Sequence, residues 1–95
     1  MELRNAYNNR TDANQPEIIK LLRQVPGLGV MSLDKVGDGF GDVLIWWRAY
    51  FMIEIKTEAG KLTKKQIERR QTWPGPIPVA RSFDEVWAII NKEAP

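Results

Sequence analysis

Neither cysteine nor histidine occurs in the 95 residues of the chain. The first absence removes disulfides, thiolate nucleophiles and sulfur-ligated zinc. The second removes the usual near-neutral general base and the commonest nitrogen ligand for a metal. Any metal bound by this chain is therefore held by oxygen, which favours the hard cations Mg²⁺ and Mn²⁺ over zinc or copper. Long apolar runs are lacking too. No stretch approaches the roughly 20 residues that span a bilayer, and 1-MELRNAYNNR-10 is polar rather than signal-like. A soluble intracellular protein is the expectation. A large excess of charge is also missing: a net charge of +2 points to nucleic acid only if the cations are clustered. A chain this short lies near the lower size at which one core is comfortably stable, so oligomerisation would help it.

The apolar residues that are present fall into short periodic segments. In 14-NQPEIIKLLRQVPG-27, Ile18, Leu21, Leu22 and Val25 follow the i, i+3, i+4, i+7 spacing of one helix face, with Pro16 in the first turn and Pro26-Gly27 closing it. A short strand is expected over 28–33, then the glycine-rich loop 34–41. The β-branched and aromatic runs 42-DVLIWW-47 and 51-FMIEIK-56 form a hairpin. Thr63 with Gln66 makes a capping box, flanked by Leu62 and Ile67 at staple positions, and opens a helix running to about Trp73. Pro74-Gly75-Pro76 breaks the chain before 77-IPVA-80, a short strand that Pro78 places at an edge. Ser82 with Glu85 opens a last helix bearing the stripe Phe83, Val86, Trp87 and Ile90. The order αβββαβα describes a single α/β or α+β domain over residues 1–95, with 1–12 a polar lead.

Strand parity singles out one face of the hairpin. Met52, Glu54 and Lys56 alternate with Phe51, Ile53 and Ile55, so an acid and a base share a face in an otherwise oily strand. A two-residue turn at Arg48-Ala49 would set Asp42 on the other side of the sheet from Glu54, and WRAY lacks the glycine or asparagine that such a turn prefers. The expectation is a three-residue loop, Arg48-Ala49-Tyr50, pairing Trp47 with Phe51. Asp42 then lies opposite Lys56 and diagonal to Glu54, at roughly 7–8 Å between backbones. Two carboxylates so placed can close on one cation.

The order of these features resembles the PD-(D/E)XK nuclease superfamily. More narrowly, 11-TDANQPEIIKLLR-23, 37-GDGFGDVLIW-46, 53-IEIK-56, 60-GKLTKKQ-66 and 79-VARSFDEVWAI-89 resemble the small phage-type VRR-NUC-like endonucleases over most of the chain. Gly41 departs from that pattern, in which proline precedes the aspartate. The resemblance implies a restriction-endonuclease-like core, a mixed sheet flanked by helices. It also implies that Asp42, Glu54 and the Ile55 carbonyl bind Mg²⁺ or Mn²⁺, with Glu17 completing the site directly or through a water. Lys56 would orient or deprotonate the attacking water, and Gln66 would touch the site or the phosphate. The implied activity is hydrolysis of phosphodiesters in branched or structured DNA, as by a Holliday-junction resolvase or a nicking enzyme. Such a phage or prophage protein would act as a homodimer in the bacterial cytoplasm.

Plainer roles compete for the same residues. Glu17 also fits a capping box with Asn14, and Gln66 one with Thr63. Glu54 and Lys56 also fit a surface ion pair of little energy, and Asp38 a simple loop residue. The glycines at 37, 39 and 41 are followed by no Gly-Lys-Ser/Thr, so they form no phosphate loop. Lys61, Lys64, Lys65, Arg69 and Arg70 crowd the loop and helix after the hairpin, where a surface for the nucleic-acid backbone is expected, with Lys20, Arg23 and Arg10 as extensions. Trp87 is expected in the core. Trp46, Trp47 and Trp73 cannot all be buried in so small a domain, and exposed aromatics often mark an interface. The rival to an enzyme is a noncatalytic nucleic-acid-binding or scaffold module on the same fold.

Overall fold

The computed structural model describes residues 13–37 and 39–93; the polar lead over 1–12, Arg10 and Asp38 lie outside them. Its elements follow the expected order: α1 (Gln15–Arg23), β1 (Gly29–Ser32), β2 (Val43–Trp46), β3 (Tyr50–Ile55), α2 (Lys64–Thr72), β4 (Val79–Ala80) and α3 (Phe83–Glu93). The four strands form one mixed sheet in the order β1-β2-β3-β4, antiparallel except where β4 lies parallel to β3. Alternation along the strands sends Val43, Ile45, Ile53 and Ile55 to one face. There they are buried with Ile18, Ile19 and Leu22 of α1, Ala80 of β4 and Val86 and Ile90 of α3. One face of the sheet thus holds the core between α1 and α3. Pro78 sits where no donor is required, its carbonyl accepting from the Glu54 N–H at 2.9 Å.

Two local expectations are corrected. In α1 the buried residues are Gln15, Ile18, Ile19 and Leu22, a stripe turned from the expected one. At 3.6 residues per turn, that rotation carries Glu17 from the border of the stripe to about 150° from its centre. Asn14 has a helical backbone and makes no side-chain cap, so no capping box joins it to Glu17. It is spent on tertiary structure, its Nδ2 donating to the carbonyls of Lys56 at 3.0 Å and Arg81 at 3.1 Å.

The hairpin loop does have three residues, but they are Trp47, Arg48 and Ala49, because Trp46 pairs with Tyr50 and Val43 with Ile53. Trp47 leaves the strand to pack on Trp87, ring centroids 5.3 Å apart, and donates from Nε1 to Asn91 at 3.1 Å. Arg48 takes the left-handed conformation the loop needs, at φ 68°. The register shifts by two residues from the expected one, which preserves parity and brings Asp42 level with Glu54 rather than Lys56.

α2 starts as expected. Thr63 Oγ1 accepts from the Gln66 N–H and Gln66 Oε1 accepts from the Thr63 N–H, a complete capping box. No residue of α2 is buried, and Ile67, expected in a staple, is exposed. The last helix is capped differently in detail. Ser82 accepts from the Glu85 N–H, while the Glu85 carboxylate reaches past it to the N–H of Arg81. Trp87 is half-buried against Trp47 and Phe83 rather than wholly in the core.

Candidate metal centre

The sheet face opposite the core carries Glu54 and Lys56, and both are buried: Glu54 is 0% exposed and Lys56 7%. Burial of two such groups is costly unless partners hold them. The partners come from three segments. Gln66 of α2 donates from Nε2 to Glu54 Oε2 at 2.8 Å, and Lys56 Nζ lies 3.8 Å from the same oxygen. Asp42 arrives from the start of β2, where the ladder frays. Its N–H donates to the Ile53 carbonyl at 2.9 Å, and its Oδ2 accepts from the Ile55 N–H at 2.7 Å. The aspartate side chain thus stands where a backbone carbonyl would continue the ladder, and this fixes it beside Glu54. N–H and C=O of one strand residue point to the same side, so the Ile55 carbonyl is on the Asp42 side as well.

Close approach of the glycine-rich loop builds this corner. A Cβ on Gly39 would meet the Lys65 carbonyl oxygen of α2 at 2.5 Å, and one on Gly41 would meet Met52 Cγ at 2.9 Å and the Ile53 carbonyl oxygen at 3.0 Å. Gly41 therefore has its own reason here: the turn into Asp42 runs too close to β3 for a side chain.

Electrostatics report how near the two acids are. Burial, then the Asp42 carboxyl acting by hydrogen bond and by charge, push Glu54 from its ordinary 4.5 up to about 8, against the opposing pull of Lys56 and Arg70. The other oxygen, Glu54 Oε1, is buried and has no hydrogen-bond donor. An acceptor so placed, beside a second carboxyl, calls for a positive species, a proton or a cation.

The donor set fits a hard divalent ion. Asp42, Glu54 and the Ile55 carbonyl supply oxygen alone, the preference of Mg²⁺ and Mn²⁺. Among the described residues no group of three or more Asp, Glu, His or Cys is placed to hold a metal. Glu17 is exposed on α1 and is not grouped with Asp42 and Glu54 in this structure.

The basic residues divide. Lys61, Lys64 and Lys65 are exposed beside the site. Arg69 is half-buried, its guanidinium 4.5 Å over the Phe40 ring, and Phe40 in turn meets Trp73 edge-on at 4.9 Å. Arg70 donates to the carbonyls of Ile77 at 2.7 Å and Gln66 at 3.3 Å, tying α2 to the approach to β4. Lys20 and Arg23 are exposed on α1.

Two residues that shape the site were not singled out from the sequence as site residues. Asn14 stands at a helix-cap position by sequence, yet its Nδ2 donates to the carbonyls of Lys56 and Arg81. Arg81 carried no signal, yet its Nη1 donates to the carbonyls of Thr57, Glu58 and Gly60 and holds the turn after Lys56. Comparison of the chain with protein-family models, curated protein sequences and solved structures finds no match. Among the described residues no helix is long and apolar enough to cross a membrane.

Proposed function

We propose that this chain is a metal-dependent endonuclease that hydrolyses phosphodiester bonds in branched or structured DNA, in the manner of a junction resolvase or a nicking enzyme. The observation that carries the reading is the buried, donorless Oε1 of Glu54 beside the Asp42 carboxyl. Asp42, Glu54 and the Ile55 carbonyl would hold Mg²⁺ or Mn²⁺, which when bound activates water and offsets charge on a phosphate. The protein's own residues do the rest. Gln66 fixes the orientation of Glu54 through a side chain already locked by its cap. Lys56 places its ammonium 3.8 Å from Glu54 Oε2, where it would offset the repulsion between the acids and an incoming phosphate. Lys61, Lys64 and Lys65 present exposed cations to the nucleic-acid backbone. Two such subunits paired as a homodimer would address two strands of one branched substrate, and action in a bacterial cytoplasm, on phage or prophage business, belongs to the same proposal.

The test incubates labelled four-way junction, flap and linear duplex DNA with Mg²⁺ or Mn²⁺. The expected result is cleavage of the branched forms in preference to duplex, lost on chelation and reduced about 10²-fold or more in Lys56→Ala. Tight DNA binding with no cleavage in either metal would make the protein a binding module instead.

A further inference from the structure

The sheet face that bears Glu54 is closed at one end and open at the other. The loop over 39–41 and α2 cover the carboxylates. Toward the hairpin tip, Met31 is 56% exposed, Trp46 46% and Tyr50 71%. The pairing places them together: Met31 opposite Leu44 and Leu44 opposite Met52, then Gly29 opposite Trp46 and Trp46 opposite Tyr50. Trp46 and Tyr50 touch, centroids 4.9 Å apart with planes inclined at 58°. Gly29, having no side chain, leaves the other flank of Trp46 uncovered. The result is an aromatic shelf over a floor of Leu44, Met52 and Met31.

We propose that this shelf stacks an unpaired nucleobase of the DNA whose phosphodiester lies at the Asp42–Glu54 pair, so that the substrates are structures carrying unpaired nucleotides. The inference rests on the nuclease reading and narrows it. Three features select a nucleobase. The shelf shares a face with the carboxylates and lies four residues along the strand from Asp42, about 13 Å at strand rise, within reach of a base close to a phosphate held at the acids. The two rows between the acids and the tip contain no acidic residue, and the exposed Lys64 and Lys65 stand at the acid end, on the helix whose Gln66 reaches Glu54. Every base has a π face that an exposed aromatic can take without reading sequence. A second copy of the chain fits less well. The exposed parts of Met31, Trp46 and Tyr50 amount to on the order of 400 Å², about half of the ~800 Å² per partner that a stable interface buries.

The experiment measures binding of a single strand carrying 2-aminopurine, and of a matched blunt duplex, to the full chain with Ca²⁺ present, and cleavage of a flap substrate with Mn²⁺. The wild type quenches 2-aminopurine fluorescence. Trp46→Ala with Tyr50→Ala weakens single-strand binding about 5- to 150-fold, the range for one lost stack, and leaves duplex binding unchanged, while Trp46→Phe restores it. Equal single-strand affinity in wild type and double variant, with flap cleavage intact, overturns the shelf and leaves the nuclease standing. A solution mass that halves in the double variant while single-strand binding holds assigns the face to a second copy and also overturns it. No binding and no cleavage by the wild type removes the nuclease reading, and the shelf with it.

Discussion

Glu54 is the residue on which most of the chemistry turns, because the fold buries it beside another acid. Its carboxyl keeps a proton in the folded chain up to about pH 8, whereas the unfolded chain releases it near 4.5. Between those values the folded state binds the extra proton, so the stability this supplies is complete below the lower value and is lost as pH rises toward the upper one. The slope is on the order of 1 kcal/mol per pH unit. In the presence of a chelator, the melting temperature of the wild type should therefore fall by on the order of 10 degrees or more from about pH 5 to about pH 8. Glu54→Gln, which stays neutral and can donate to Asp42, should flatten that decline. A decline as steep in Glu54→Gln as in the wild type would show that Glu54 does not supply it.

At the scale of elements, Gln66 joins helix formation to the site. One side chain closes the capping box of α2 and also donates to Glu54. Chemical denaturation separates the two: Thr63→Ala removes the cap alone and should cost about 1 kcal/mol. Gln66→Ala removes the cap partner and the contact with Glu54 and should cost about 2 kcal/mol. Equal losses in the two variants would mean that the contact with Glu54 adds nothing to stability. The capping box was legible because it is a local pattern of Thr63, Gln66 and a helix start, and element order was legible because periodicity and the proline and glycine breaks are local too. The hairpin register was not. It depended on Trp47 finding Trp87 and Asn91, contacts far along the chain, and on Arg48 accepting a left-handed backbone. Parity holds because the loop has three residues in the expected and the observed register alike, and parity is what keeps Asp42 and Glu54 together. The exposed position of Glu17 was illegible for a related reason. Gln15, a polar residue in the buried stripe of α1, turns the helix, and hydropathy periodicity gives no warning of a buried glutamine.

Over the whole molecule, the sheet divides its labour by face. One side makes the core with α1 and α3, and the other leads from a covered pair of acids to open aromatics at the hairpin tip. Helix α2, with no buried residue of its own, is held by its contacts with the acids, the glycine loop and the approach to β4. Its exposed Lys64 and Lys65 thereby stand in the same turn as Gln66, which reaches Glu54. The account is tested most directly by calorimetric titration of chelator-stripped protein with Mn²⁺ at near-neutral pH. It predicts saturable binding at a single site in the wild type, abolished in both Asp42→Asn and Glu54→Gln and kept in Glu17→Gln. Unchanged binding in the first two variants, or no binding by the wild type even with DNA present, would contradict it.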